Sequence, residues 1–181
     1  MAQLFYKYGT MASGKSIEIL KVAHNYQQQN RRVLLATSSV DTRYGIGKIT
    51  SRIGMESDAY AIGMDEDLSQ LNTDGYAAIL IDEAQFLTRK QVVALAKIVD
   101  TNDIPVMCFG LKNDFDNCLF EGSEALLVFA DKISEMKTIC NYCGHKATMN
   151  KRLSDSTEQI VIGGDDDYVP VCRRHYYETN L

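Results

Sequence analysis

From Gly9 to Ser16 the chain reads G-T-M-A-S-G-K-S, a match to G-x-x-x-x-G-K-[ST]. The residues before it, Gln3–Tyr8, read as a strand, and Ser16–Gln29 reads as a helix with Ile17, Leu20 and the Val22–Ala23 pair turned to the core. A strand leading in and a helix leading out are the context in which this loop cradles a polyphosphate. Its glycines would let backbone N–H groups curl around the phosphates, with Gly9, Thr10, Met11, Ala12, Ser13 and Gly14 forming the cradle. Lys15 would bring a point charge to the outer ones, and the Ser16 hydroxyl would face Mg²⁺.

Working outward, apolar runs alternate with helix-period segments. Val33–Thr37, Asp58–Ile62, Ala77–Ile81, Ile104–Phe109 and Ile133–Ile139 read as strands. Met64–Leu71, Thr88–Val99 and Ser123–Ala130 read as helices, and Asp41–Lys48 as a loop. This alternation predicts an α/β fold, a P-loop (RecA-like) parallel sheet flanked by helices. Ala77–Ile81 is apolar throughout and ends in Asp82-Glu83, as a doubly buried strand delivering carboxylates to a site would. Asp82 suits the Mg²⁺ side of the phosphates. Glu83 could orient a water or take a proton from an acceptor hydroxyl, and the residues alone leave that choice open.

The bulk numbers bound the partners. At 181 residues the chain is one domain, or one with a small appendage, able to bury a core. A net charge of −5 argues against general duplex binding, since neutralising phosphates supplies most of that affinity. No apolar run is long enough to span a bilayer. The start M-A-Q-L-F-Y shows no secretory leader, so we expect a cytoplasmic protein with no membrane or nucleic-acid partner. Five cysteines, an odd number, then imply thiols or metal rather than disulfides.

Four of the metal-type residues form two pairs. Cys140-x-x-Cys143 and Cys172-x-x-His175 suit a closed, tetrahedral structural Zn²⁺. His145 could compete with His175, although Cys-x-x-His is the more regular closing pair. Cys108 lies in a strand and reads as core, Cys118 as an unpartnered loop cysteine, and His24 as a surface residue. The segment between the pairs is too polar to hold itself together; clipped by metal it becomes a lasso, and Ile162-Gly163-Gly164 in its middle could approach a ligand closely. We expect a P-loop domain over 1–139 and a C-terminal zinc-binding lasso subdomain over 140–181.

Taken together, these motifs resemble the thymidine kinase family of the bacterial, viral and animal cytosolic type. The resemblance rests on G-T-M-A-S-G-K-S, D-T-R-Y at Asp41–Tyr44, D-E-A-Q-F at Asp82–Phe86, F-G-L-K-N-D-F at Phe109–Phe115, V-I-G-G at Val161–Gly164 and Y-V-P-V-C-R-R-H at Tyr168–His175. It implies phosphoryl transfer from ATP to the 5′-hydroxyl of thymidine. Glu83 would be the general base, and Arg43 would approach the transferring group with Asp41 fixing its loop. The donor side would include Asp82, Glu83, Ala84 and Gln85. Met11, Phe86, Leu111, Phe115 and Phe120 would line the thymine site, with Tyr168 behind and backbone at Gln159, Val161 and Gly163 pairing with the base edge. The resemblance further implies a homotetramer and feedback inhibition by thymidine triphosphate. Against the family pattern, Asn113 stands where threonine is common and Thr148–Glu158 is short and polar, and we expect none of the longer regulatory tail of some relatives.

Two rival readings remain at this level. A P-loop hydrolase would need the same cradle, but L-K-N-D at Leu111–Asp114 has the wrong order for a guanine site. A zinc-bearing nucleic-acid remodeller would need a basic, aromatic-interleaved face that the sequence lacks.

Overall fold

The computed structural model describes residues 1–153 and 167–178. In chain order its strands are β1 (Leu4–Tyr8), β2 (Val33–Ser38), β3 (Lys48–Thr50), β4 (Glu56–Asp58), β5 (Tyr60–Ile62), β6 (Ala78–Asp82), β7 (Val106–Gly110), β8 (Lys132–Glu135), β9 (Met149–Arg152) and β10 (Tyr168–Val171). Its helices are α1 (Lys15–Gln28), α2 (Arg89–Asn102), α3 (Glu121–Phe129) and α4 (Arg173–Tyr177). Six strands form one parallel sheet in the order β5-β2-β6-β7-β1-β8. β7 lies between β1, which feeds the phosphate loop, and β6, which ends in Asp82. Two cores sandwich the sheet. Tyr6, Ile79 and Ile81 pack with Val92, Leu95 and Val99 of α2 on one face; Leu80, Leu35 and Phe109 pack with Ile19 and Leu20 of α1 on the other. The parallel α/β reading therefore holds, and Cys108 is core while His24 is exposed. Among the described residues no helix is long and apolar enough to cross a membrane.

Three elements differ from the sequence expectation, each for a local reason. Met64–Leu71 contains only a 3₁₀ turn at Leu68–Gln70. The Gln91 side-chain amide donates to the carbonyls of Gly63 and Glu66, at 2.8 and 3.1 Å, and so occupies groups that a helix ladder would use. Asp58–Ile62 is split at Ala59, whose N–H donates to the Gly47 carbonyl at 2.8 Å. The chain passes there from the small β3–β4 hairpin to the edge of the main sheet. The last expected strand stops at Glu135, because beyond Met136 the chain turns away toward Cys140 and pairs Ile139 with Lys146.

β9 and β10 form a separate antiparallel pair beside the phosphate loop, with Asn150 opposite Pro170. One close approach packs α3 against the turn that follows Asp82. Gly122 in α3 lies so near the turn Ala84–Phe86 that an added Cβ would stand 2.5, 2.7 and 2.9 Å from the carbonyl oxygens of Ala84, Leu87 and Gln85. Backbone oxygens cannot yield as a flexible side chain would, so only glycine fits.

Candidate active site

The phosphate loop begins where β1 ends. The Gly9 N–H donates to the Gly110 carbonyl at 3.2 Å, which docks the loop on β7. Ala12 and Gly14 both have left-handed backbones, with φ of 59° and 81°. Lys15 is buried, and its ammonium donates to the carbonyls of Thr10 at 2.8 Å and Gly9 at 3.3 Å. Burial lowers its pKa from the ordinary lysine value, and the nearby charges of Glu83 and Asp82 counter that in part. The Ser16 hydroxyl donates to Asp82 Oδ2 at 2.9 Å across the gap between α1 and β6. Burial, reinforced by the charge of Glu83, raises the Asp82 carboxyl above the ordinary carboxylate range. A buried carboxylate beside a hydroxyl, with water and phosphate oxygens able to complete the shell, suits a hard divalent cation such as Mg²⁺.

Glu83 follows in a left-handed conformation, φ 51°, which turns its side chain out of the strand direction and into the cleft. Its two oxygens are held from opposite sides. Arg43 donates to Oε1 at 2.5 Å and the Gln85 amide donates to Oε2 at 2.6 Å. Gln85 is itself fixed, its Oε1 accepting the Leu111 N–H at 3.0 Å. Arg43 also forms a fork onto Asp41, at 2.8 and 2.7 Å. The Asp41 and Glu83 partners raise the guanidinium's pKa further, against burial that opposes it. Asp41 thus orients Arg43 rather than merely capping a loop.

These groups line one cleft of about 230 Å³. Met11, Ala12, Ser13, Gly14, Lys15, Ser16, Asp82, Glu83 and Gln85 border it together with Arg43, Phe86, Leu111, Phe115, Phe120 and Tyr168. Phe86 and Phe120 meet edge to face at 5.8 Å between ring centres. Gly9 and Thr10 instead border a second cavity of about 320 Å³ behind the loop. Ala84 is wholly buried in the main core and does not line the cleft. Gln159, Val161 and Gly163 lie outside the described residues.

Cys140, Cys143, Cys172 and His175 come together, with all ligand atoms within 4.8 Å of one another. His175 Nδ1 is 3.3 Å from both Cys140 Sγ and Cys172 Sγ, and Cys143 Sγ is 3.9 Å from Cys172 Sγ. A tetrahedral Zn²⁺ with ordinary bond lengths has edges of about 3.8 Å between sulfurs and about 3.6 Å between sulfur and nitrogen. The four residues fit that ion. His145 Nδ1 lies 3.3 Å from Cys143 Sγ but outside the four-residue cluster.

Three contributors to the cleft escaped the sequence reading. The β3–β4 hairpin brings Lys48 and Arg52 to its wall. Arg152 stacks 3.6 Å over the Phe115 ring and donates to the Tyr168 hydroxyl at 2.9 and 2.5 Å, so one guanidinium holds two aromatic walls. Asn150 Oδ1, buried, accepts the Met11 N–H at 2.9 Å. For Arg152 and Asn150 the partners Phe115 and Met11 are remote in sequence, and no local pattern marks them.

A hydrolase needs water at its carboxylate. The cleft that holds this carboxylate also carries the aromatic and aliphatic side chains Phe86, Leu111, Phe115 and Phe120, which suit a small organic acceptor, and the class this arrangement fits is a P-loop phosphotransferase. Comparison with known proteins narrows it. A family model described as thymidine kinase matches residues 2–176. A thymidine kinase of Lactobacillus johnsonii is 58% identical over 196 aligned residues, covering 99% of this chain and 98% of its own. Thymidine kinases of Lactobacillus acidophilus and Streptococcus gordonii are each 57% identical, with 100% of this chain and 99% of theirs covered. The chain belongs to the thymidine kinase family and is a nucleoside kinase.

Proposed function

We propose that this enzyme transfers the γ-phosphoryl group of ATP to the 5′-hydroxyl of thymidine, with Glu83 as the general base. The observation that carries this reading is that Glu83 shares one cleft with the Ser16–Asp82 pair and with Phe86, Leu111 and Phe115. Each carboxylate oxygen can accept a second hydrogen bond beyond those from Arg43 and Gln85, so an acceptor hydroxyl can join without displacing either. As the 5′-oxygen bonds to phosphorus its proton passes to Glu83. The bond from phosphorus to the β–γ bridging oxygen breaks, and its electron pair leaves with ADP. Arg43, ion-paired with Glu83, would offset charge building on the transferring group. Ser16 and Asp82 would hold the Mg²⁺ that accompanies ATP, and that ion would supply neutralisation of phosphate charge.

On this reading residues 1–139 bind the donor and 140–181 form the lasso subdomain, whose Zn²⁺ is structural, with backbone at Gln159, Val161 and Gly163 meeting the base. The family resemblance supports a cytoplasmic homotetramer inhibited by thymidine triphosphate in the acceptor site. The deciding experiment follows ADP release with and without thymidine. Release that depends on thymidine, with labelled γ-phosphate appearing in thymidine monophosphate, is expected. Equal release without nucleoside would contradict the proposal.

A further inference from the structure

We infer that Asn150 is a positioning residue through which the zinc-clipped module holds the phosphate loop in its binding shape. The inference rests on the reading of Gly9–Ser16 as the donor cradle. Asn150 sits on β9, only 4% exposed, and its side-chain oxygen accepts the N–H of Met11, a residue 139 positions away in the middle of that loop. Immediately after Met11, Ala12 holds a left-handed backbone. An alanine keeps such a conformation only where its surroundings impose it. The Asn150 acceptor is one such constraint, and it fixes the peptide at which the loop reverses.

The other side of β9 leads straight to the metal site. Asn150 pairs with Pro170, the Thr148 N–H donates to the Val171 carbonyl at 2.9 Å, and β10 runs directly into Cys172. The Asn141 N–H, between Cys140 and Cys143, donates to the Pro170 carbonyl at 2.9 Å. Both halves of the ligand set therefore brace the two strands that present Asn150. Releasing the ion would loosen β9 and withdraw the acceptor from Met11, so a metal site remote from the phosphates would govern how well they bind.

The test titrates MgADP into zinc-loaded protein without nucleoside. Asn150→Leu removes the acceptor while keeping the branched shape and should weaken MgADP by about 3- to 10-fold, the worth of one hydrogen bond, at unchanged zinc content. Chelating zinc from the wild type should cause a similar loss, but little further loss in Asn150→Leu, because both act through one contact. Hydrogen exchange of the phosphate-loop peptide without nucleotide should rise in Asn150→Leu and stay at the wild-type level in Asn150→Asp, which keeps the acceptor oxygen. If Asn150→Leu does not fold, Asn150→Ser, too short to reach Met11, takes its place. A zinc-replete variant binding MgADP within about twofold of wild type, or additive losses from variant and chelation, would overturn the inference. Absence of MgADP binding by the wild type would instead remove the donor-site reading itself.

Discussion

Gln85 offers a demanding test of how the site is held. Its side chain is buried and makes two bonds in opposite directions, to the Leu111 N–H at 3.0 Å and to Glu83 Oε2 at 2.6 Å. Gly110 packs so closely that a Cβ there would stand 2.6 Å from Gln85 Oε1, so the amide has little freedom to reorient. Gln85→Leu keeps the bulk and deletes both bonds. Leaving the Leu111 donor unpaired costs about 1–3 kcal/mol, and losing a bond to the charged carboxylate costs about 1.5–3 kcal/mol. Partial solvation of Leu111 favours the lower ends, hence a net loss of about 3 kcal/mol and a fall in Tm of about 6–12 °C for a chain of this size. Glu83 would then be tethered only by Arg43, and a displacement of about 1 Å at a reacting group can lower kcat by about 100-fold. The assays are a thermal melt and thymidine-dependent ADP release at saturating substrates. MgADP affinity should fall far less than kcat, because the Ser16–Asp82 pair is untouched. A variant with the lowered Tm but kcat within about threefold of wild type would show that Gln85 supports the fold without positioning Glu83, and would refute the reasoning.

Further outcomes follow from the same geometry. Glu83→Gln should lower kcat by about 10²–10⁴-fold with nucleotide binding nearly intact, measured by steady-state kinetics and MgADP titration; unchanged turnover would exclude Glu83 as the base. In that variant the Asp82 carboxyl should also titrate lower, since the charge of Glu83 is one of the causes that raise it. Arg43→Ala should lower kcat more than it raises KM for either substrate, and the opposite pattern would limit Arg43 to ground-state binding. Metal analysis should find one Zn²⁺ per chain, and Cys140→Ser retaining full zinc and thymidine affinity would contradict the four-ligand site.

How much of this was legible in the sequence depended on distance along the chain. The phosphate loop, the strand ending at Asp82 and the two metal-ligand pairs were readable because each is written in neighbouring residues whose local geometry carries the function. Asp41 and Arg43 are two residues apart but read only as part of a polar loop; the family resemblance alone singled them out, and their junction with Glu83 crosses the sheet. Asn150 and Arg152 stand in T-M-N-K-R-L, which reads only as a polar stretch, and their roles arise only when β9 is laid against the loop and against Phe115. The β3–β4 hairpin was missed because its strands are three residues each and Ile49 alone is fully buried. The expected helix at Met64–Leu71 failed for a related reason. Gln91, more than 20 residues on, takes its carbonyls, a tertiary contact that overrides local propensity.

The central claim is a matter of one distance, and a crystal structure with thymidine and MgADP bound would measure it. The account predicts the thymidine 5′-oxygen within about 3.2 Å of a Glu83 carboxylate oxygen, with the base between Phe86 and Phe115. A nucleoside bound with its 5′-oxygen turned away from Glu83, or seated outside the cleft altogether, would contradict it.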